Sequence, residues 1–255
     1  MSIRRVVSKW AKTAALLQAP DLTALIPETQ PFHQQAVRQM LNRMKMVYVK
    51  PVNGTFGKGV IRVEQVDGER LPYVFQSGEQ QYRYRTFEAM FRKLLSIKRR
   101  RPYLVQQGIE LLKYRRRRFD LRLMVQKNTK REWESTGLIG RLAHPRKIVT
   151  NYHSGGTPMA VERLLGSCIR ANQITSYKAY LMKLGVDVAN AMEKKFPGIK
   201  ELGIDIAIDT TGRPWILEVN TMPDPYLFRK LKDPSVFRRI YRYAVKYGRI
   251  RRRRK

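Results

Sequence analysis

Gly203-Ile204-Asp205-Ile206-Ala207-Ile208-Asp209-Thr210-Thr211-Gly212-Arg213-Pro214-Trp215-Ile216-Leu217-Glu218-Val219-Asn220 reads as two short apolar strands joined by a Thr-Thr-Gly-Arg turn. Composition and spacing are those of a β-hairpin. If Asp209 and Pro214 close the loop, antiparallel register sets Asp205 directly opposite Glu218. Strand side chains alternate faces, so Glu218 and Asn220 then share the face of Asp205. The other face carries Ile204, Ile206, Ile208, Leu217 and Val219, which require a core. Three oxygen-donor side chains thus converge on one patch. Such a set suits a hard divalent cation such as Mg²⁺, with waters and substrate phosphates completing the octahedron. It also suits a solvated hairpin face that happens to be acidic.

The patch stands in a chain of the opposite sign. Lys+Arg number 52 against 20 Asp+Glu, a formal net charge of +32, so the expected company is acidic: nucleic acid, an anionic polymer or surface, or a phosphorylated ligand. With 255 residues, 43% of them hydrophobic, the chain can bury one large or two small cores. Its single cysteine, Cys168, excludes an internal disulfide and a cysteine-based zinc cluster, fits a reducing compartment, and reads as a small buried hydrophobe. No apolar run reaches the ~18 residues that a membrane span needs. Arg4 to Lys12 resembles a signal only superficially, because Lys9 and Lys12 interrupt the apolar stretch. The expected element there is a basic amphipathic helix, and the expected location is cytoplasmic.

Along the chain, residues 1–45 read as helical, with breaks at Pro20, Pro27 and Pro31. Met46–Lys50, Val60–Val66, Leu71–Gln76 and Pro102–Gln106 read as strands, and Thr86–Arg99 has helical spacing. Phe119–Lys127 alternates, Phe119, Leu121, Leu123 and Val125 on one face, and Glu132–Leu142 is its antiparallel partner. A glycine-containing loop over Asn151–Pro158 precedes a long helix, Thr175–Lys195. Asp233-Pro234 supplies the N-cap and first turn of a last helix. The pattern is α+β, with mainly antiparallel sheets and helices packed on them.

Between the first two strands lies Lys50-Pro51-Val52-Asn53-Gly54-Thr55-Phe56-Gly57-Lys58-Gly59. Its glycines let main-chain N–H groups approach an anion, and Lys50 and Lys58 can each place an ammonium on a phosphate. The Walker A spacing is missing. Gln106-Gln107-Gly108-Ile109-Glu110 ends a strand, where a main-chain edge can bond a purine and Glu110 a ribose hydroxyl. Asp120 and Arg122 share a strand face, which by itself is the pattern of a structural ion pair.

Taken in order, Lys-Pro-x-x-Gly-x-x-Gly-x-Gly (Lys50–Gly59), Gln106-Gln107-Gly108-Ile109, Phe119-Asp120-Leu121-Arg122, Thr150-Asn151-Tyr152-x-x-Gly155-Gly156 and Gly203-Ile204-Asp205 with Leu217-Glu218-Val219-Asn220 resemble the ATP-grasp superfamily. Within it the chain resembles the YheC/YheD family of endospore coat-associated proteins, from Lys9 to Pro225. The resemblance implies an ATP-grasp fold, two α+β subdomains enclosing ATP. It divides the chain into a short helical segment 1–45, a phosphate-loop subdomain 46–108, a second subdomain 109–248 carrying the hairpin, and a basic tail 249–255. It implies an ATP- and Mg²⁺-dependent carboxylate–amine ligase acting through an acylphosphate, with spore-coat association and coat proteins as partners.

Carried over by motif, Lys50 contacts the α/β-phosphates, and Asn53, Gly54, Thr55, Gly57, Lys58 and Gly59 fold over the β/γ-phosphates. Gln106, Gln107 and Ile109 form the adenine hinge, with Glu110 near the ribose. Asp205, Glu218 and Asn220 hold Mg²⁺. Arg122 and Arg141 stabilise the transferring phosphoryl group, where developing charge rewards preorganised cations. Asn151, His153, Gly155 and Gly156 line the acceptor side.

ATP-grasp ligases usually carry a complete α/β domain ahead of the phosphate loop, whereas 45 residues precede Met46. That difference keeps open a coat protein that binds ATP without catalysis. The basic runs Lys98–Arg101, Lys113–Arg118 and Arg249–Lys255 keep open a polyanion-binding module. They suit an acidic co-substrate, a peptide or an anionic polymer, ahead of nucleic acid.

Overall fold

The computed structural model describes residues 3–55 and 57–250. The chain folds as two units: one built from the segments up to Ile26, Leu111–Leu142 and Thr157 onward, the other from Pro27–Glu110 and Ala143–Gly156. The N-terminal segment, which reads as one helical piece, is shared between them. Residues 3–8 are not helical: the Arg4 N–H bonds Gly198 O, and Val6 N–H bonds Thr221 Oγ1. The helix α1 (Lys9–Leu17) starts only where the Ser8 hydroxyl can accept from Ala11 N–H and cap it. Pro20 then opens a short α2 (Pro20–Thr23).

The phosphate-loop unit begins with β1 (Thr29–Pro31), a strand the proline-rich composition conceals, and α3 (Gln34–Met44). It continues through β2 (Met46–Pro51), β3 (Ile61–Gln65), β4 (Tyr73–Ser77), β5 (Gln80–Tyr84), α4 (Phe87–Ile97) and β6 (Tyr103–Gln107). The sheet order is β1-β6-β2-β3-β4-β5. Val47, Val49, Ile61, Val63, Phe75 and Val105 turn one sheet face into a core closed by Ala36, Val37, Met40 and Leu41 of α3 and by Phe87, Met90, Phe91 and Leu94 of α4. Alternation leaves a polar row on the other face, where register aligns Thr29, Gln106, Tyr48, Arg62 and Gln76.

The hairpin unit opens on β7 (Lys113–Tyr114), which turns directly into β8 (Arg117–Lys127). The turn is Arg115-Arg116, with φ of 49° and 65°. Both values lie in the left-handed region, where an L-residue costs about 1–2 kcal/mol and Asn-Gly is the favoured pair. Arg115→Asn combined with Arg116→Gly is therefore expected to raise the unfolding free energy by about 1–2 kcal/mol, read from the urea midpoint. An unchanged or lower midpoint would show that the arginines are not strained there.

β9 (Trp133–Leu142) pairs with β8 as expected, and β10 (Thr157–Met159) adds a strand within the anticipated loop. After α5 (Val161–Leu165) and α6 (Ala171–Lys195) come β11 (Glu201–Ile208), β12 (Pro214–Asn220) and α7 (Pro234–Lys246). The sheet order is β10-β9-β8-β11-β12, with β7 beside β8. One face packs on Ala15 and Leu16 of α1 and Leu181, Leu184, Val188 and Met192 of α6; Met124 and Ile139 on the other meet Leu227, Phe228 and Ile240. Cys168 is exposed rather than buried, because the turn after α5 that carries it points to solvent. The tail residues 251–255 and Phe56 of the phosphate loop lie outside the described residues.

Candidate functional site

The hairpin delivers its acidic residues by a route the composition does not show. Asp209 collects the N–H groups of Thr211 and Arg213, the Thr211 hydroxyl and the Trp215 indole N–H, which makes it the anchor of the turn. The pairing that closes the loop is therefore Ile208 with Pro214, one residue earlier than Asp209 with Pro214. A β-bulge between Asp205 and Ile206 restores the offset, and Asp205 still stands opposite Glu218, with Gly203 opposite Asn220. The bulge also changes the core residue: Ile216, not Leu217, is buried with Val219.

Asp205 lies on β11 between Glu218 of β12 and Arg122 of β8. Arg122 donates from Nε to Asp205 Oδ1 at 2.5 Å, and Arg141 of β9 approaches Oδ2 at 3.0 Å. Arg141 also grips Asp120 with two bonds, 2.8 and 2.6 Å. The expected Asp120–Arg122 pair is thus replaced by a crossed network, because Asp120 faces Arg141 and Arg122 faces Asp205 in the ladder. All four side chains are buried. Burial acts to raise the Asp205 carboxyl, but the Arg122 and Arg141 guanidiniums outweigh it and hold it at about 2. Burial likewise lowers Arg141, and Asp120 and Asp205 more than reverse that. Gly203 gives this network room: a Cβ there would meet Pro223 Cβ at 2.6 Å and Arg122 Nη1 at 3.1 Å.

Glu218 is paired with the Lys9 ammonium of α1. One helical turn on, Lys12 is 5% exposed, and no hydrogen bond or ion pair to its ammonium forms among the described residues. Burial pushes it down to about 8, against the pull of Glu218; Lys9 adds to the lowering and Asp205 opposes it. Spacing alone assigns neither lysine to the site, yet a legible signal exists. Lys12 occupies the apolar stripe of α1, three and four residues before Ala15 and Leu16.

The donor set fits a hard cation. Asp205 is held ionised, and Glu218 already holds a cation in the Lys9 ammonium. Among the described residues no group of three or more His, Cys, Asp or Glu side chains is arranged for a metal. Two carboxylates and an amide match Mg²⁺ sites that retain waters and substrate phosphates.

In the phosphate-loop unit, the Lys50 ammonium is bonded to Gln106 Oε1, and Gln106 Nε2 donates to Thr29 Oγ1 at 3.1 Å. Gly54, Gly57 and Gly59 all take positive φ, 150°, 71° and 80°. A Cβ on Gly57 would lie 3.0 Å from Asn151 Oδ1, so the glycine loop and the Asn151 turn are neighbours. That turn is a single 3-10 turn, Tyr152–Ser154, with Gly155 left-handed. Gly156 lies against Thr150 O, 2.0 Å from where a Cβ would stand, so no side chain fits. The N–H groups of Ser154 and Gly156 both turn in to Asn151 O, and His153 is exposed. In the hinge, Gln107 and Gly108 give their N–H groups to Glu28 and Met46.

Two further cations here look like ordinary surface charge in the sequence. Arg101 reaches Lys58 O at 3.4 Å and lies beside Gly54 and Gly59. Arg62 is buried; Nη2 pairs with Glu64 at 2.9 Å, while Nε and Nη1 have no hydrogen-bond partner among the described residues.

The profile of one protein family, described as YheC/D like ATP-grasp, matches residues 3–250. The chain belongs to that family. Its relatives include the endospore coat-associated proteins YheD and YheC of Bacillus subtilis (strain 168). They are 23% identical over 95% of this chain and 22% identical over 86% of it. The chain spans 53% and 61% of their lengths. Among solved structures, a carboxyaminoimidazole ribonucleotide synthase from Aspergillus clavatus complexed with ATP shares the fold at a TM-score of 0.52 and 10% identity, over 87% of this chain and 46% of that one. The C-terminal domain of K. lactis Pby1, an ATP-grasp enzyme interacting with the mRNA decapping enzyme Dcp2, shares it at 0.51 and 14% identity, over 94% and 71%. The ATP-grasp fold expected from the motif order is therefore the fold of this chain. No helix among the described residues is long and apolar enough to cross a membrane.

Proposed function

We propose that this YheC/D-like ATP-grasp chain binds ATP with Mg²⁺ and joins a carboxylate to an amine, in association with the spore coat. The observation that carries the reading is the register of the acidic hairpin, which sets ionised Asp205 opposite Glu218 with Asn220 at the same end. Asp205, Glu218 and Asn220 would hold the metal, which when bound neutralises phosphate charge. Lys50 and the Asn53–Gly59 loop would hold the phosphates; Gln106, Gln107, Ile109 and Glu110 would hold the nucleoside. Arg141 fixes Asp205 in place, and Arg122, bonded to Asp205 through Nε, keeps its remaining N–H groups for the phosphoryl oxygens. Asn151, His153, Gly155 and Gly156 would border the acceptor. In the reaction, a carboxylate oxygen takes the terminal phosphoryl group and ADP leaves. The amine then adds to the acyl carbon, phosphate departs, and the amine gives up a proton. The carboxylate donor would be a peptide or an acidic polymer, which the chain's +32 charge attracts.

A thermal-shift titration tests this reading. Three carboxylates (Asp120, Asp205, Glu218) already face four cations (Arg122, Arg141, Lys9, Lys12), so free Mg²⁺ adds like charge. Mg²⁺ alone is expected to leave the melting temperature unchanged. Mg²⁺ with ATP at a hundred-fold excess over Kd is expected to raise it by about 5 °C or more. The absence of any nucleotide shift would overturn the proposal. The engagement of Glu218 by Lys9 favours one alternative, an ATP-binding coat protein without turnover. It would show the shift but release no ADP across a panel of carboxylates and amines.

A further inference from the structure

At the β7–β8 turn the fold holds arginines in positions that local physics disfavours. Arg115 and Arg116 form its exposed tip with left-handed φ of 49° and 65°, a conformation that Asn-Gly adopts readily and arginine at a cost. Behind the tip, register sets Lys113 directly opposite Arg118, where like charges repel. Arg115, Arg116 and Arg118 form no ion pair among the described residues. A turn that served only to join two strands would relieve both conflicts, and strain kept at such a place points to a role. The turn is also continuous with the site. β8 runs from Arg118 through Asp120 to Arg122, and alternation puts these three side chains on one face. Arg118 to Arg122 spans about 13 Å, the length of about four residues of extended chain. The basic turn therefore extends the face that carries the buried network of Asp120, Arg141, Asp205 and Arg122.

We propose that this turn docks an acidic polypeptide, Arg115, Arg116 and Arg118 taking its side-chain carboxylates while a carboxylate farther along the same polypeptide reaches the Arg122 end of β8. For the reacting carboxylate the inference rests on the ligase reading above, and it gives that donor a class and a place. Guanidinium forks bind carboxylates through paired hydrogen bonds. An extended peptide repeats its side chains on one face every second residue, which is the repeat of Arg118, Asp120 and Arg122. A nucleic acid fits less well, because single strands are held by stacking on open aromatic rings. Tyr114, the ring within the basic run, packs on the core and has the guanidiniums of Arg115 and Arg163 at 5.5 and 6.0 Å from its centre.

Fluorescence anisotropy of a labelled deca-glutamate peptide, without nucleotide and at physiological ionic strength, tests the docking. Arg115→Asn combined with Arg116→Gly and Arg118→Gln is expected to bind it about ten-fold or more weakly. A control that loses the same charge has Lys130, Lys194 and Lys195 changed to Gln. These lysines are exposed near the other end of β8, where Lys127 meets Glu193 of α6. The control is expected to stay within about two-fold of the wild type, because the charges it removes lie more than a Debye length from the turn. Arg118→Gln alone, which leaves the turn backbone as it is, should cost about three-fold. The turn variant should keep the wild-type melting shift with Mg²⁺·ATP. Equal losses in the turn variant and the control would reduce the effect to net charge and overturn the docking site. So would a wild type that binds deca-glutamate no better than deca-glutamine. Tighter binding of a thymidine decanucleotide, lost in the turn variant, would overturn the polypeptide assignment in favour of nucleic acid. Deca-glutamate docking without any Mg²⁺·ATP shift would remove the ligase reading and the donor role while upholding the docking site.

Discussion

Glu218→Gln is expected to lower affinity for Mg²⁺·ATP, and any ATP turnover, by more than the ~10–100-fold that outer partners of a metal site typically cost. Unfolding should change by less than about 1 kcal/mol. Both effects come from the same geometry. Glu218 is partly solvated and paired with Lys9, the first residue of α1. The substitution takes a carboxylate from Lys12, but that ammonium, already pushed down to about 8 by burial, can shed its proton. As a ligand, however, an amide oxygen carries no charge to set against a dication. Parallel measurement of chemical unfolding and of Mg²⁺·ATP affinity separates the two. Retained affinity in a folded variant would remove Glu218 from the site.

Asp205→Asn should differ in stability, unfolding at markedly lower urea. Its carboxylate side chain is 9% exposed and holds two guanidiniums, Arg122 and Arg141, that are buried as deeply. Removing one charge from such a network strands its partners, an effect of about 3–5 kcal/mol. The same pairing predicts the acid response. The Asp205 pKa is held at about 2, below its ordinary 3.8, so its contribution is complete above pH 4 and fades as pH falls through that interval. That contribution is about 2 kcal/mol, and Asp205→Asn should flatten this part of the stability–pH curve. A destabilisation under 1 kcal/mol would mean the guanidiniums find other partners.

A second buried carboxylate on the same strand face shows why position rather than residue type separates the roles. Glu201 is fully buried and accepts from Arg5, Arg249 and the Tyr247 hydroxyl, tying both ends of the described chain to β11. Glu201 serves assembly. Asp205, two pleats along, faces the end where Glu218 and Asn220 gather.

Much of this is legible in the one-dimensional pattern because strand alternation is a local property. The order of motifs names the family, and the alternation of Phe119–Lys127 and Ile204–Ile208 names the core faces that the structure buries. Asp205 opposite Glu218 is legible as well, although the loop closes on Ile208 and the β-bulge makes up the difference. What escapes reading depends on partners far along the chain. Asp120 and Arg122 look like a pair in sequence, but their bonds go to Arg141 and Asp205 on neighbouring strands. β1 is hidden because its pairing is with β6, and β10 because its partner is β9. The exposure of Cys168 follows from how α5 ends, not from the residue.

The ordered motif set, through the family it resembles, indicated the fold family, and strand and helix periodicity indicated the apolar faces. Which cation meets which carboxylate was settled in three dimensions, because strand order and helix placement across the whole chain choose the ion pairs. That arrangement set Arg141 between Asp120 and Asp205, Lys9 on Glu218, and a lysine of the first helix, Lys12, buried beside them.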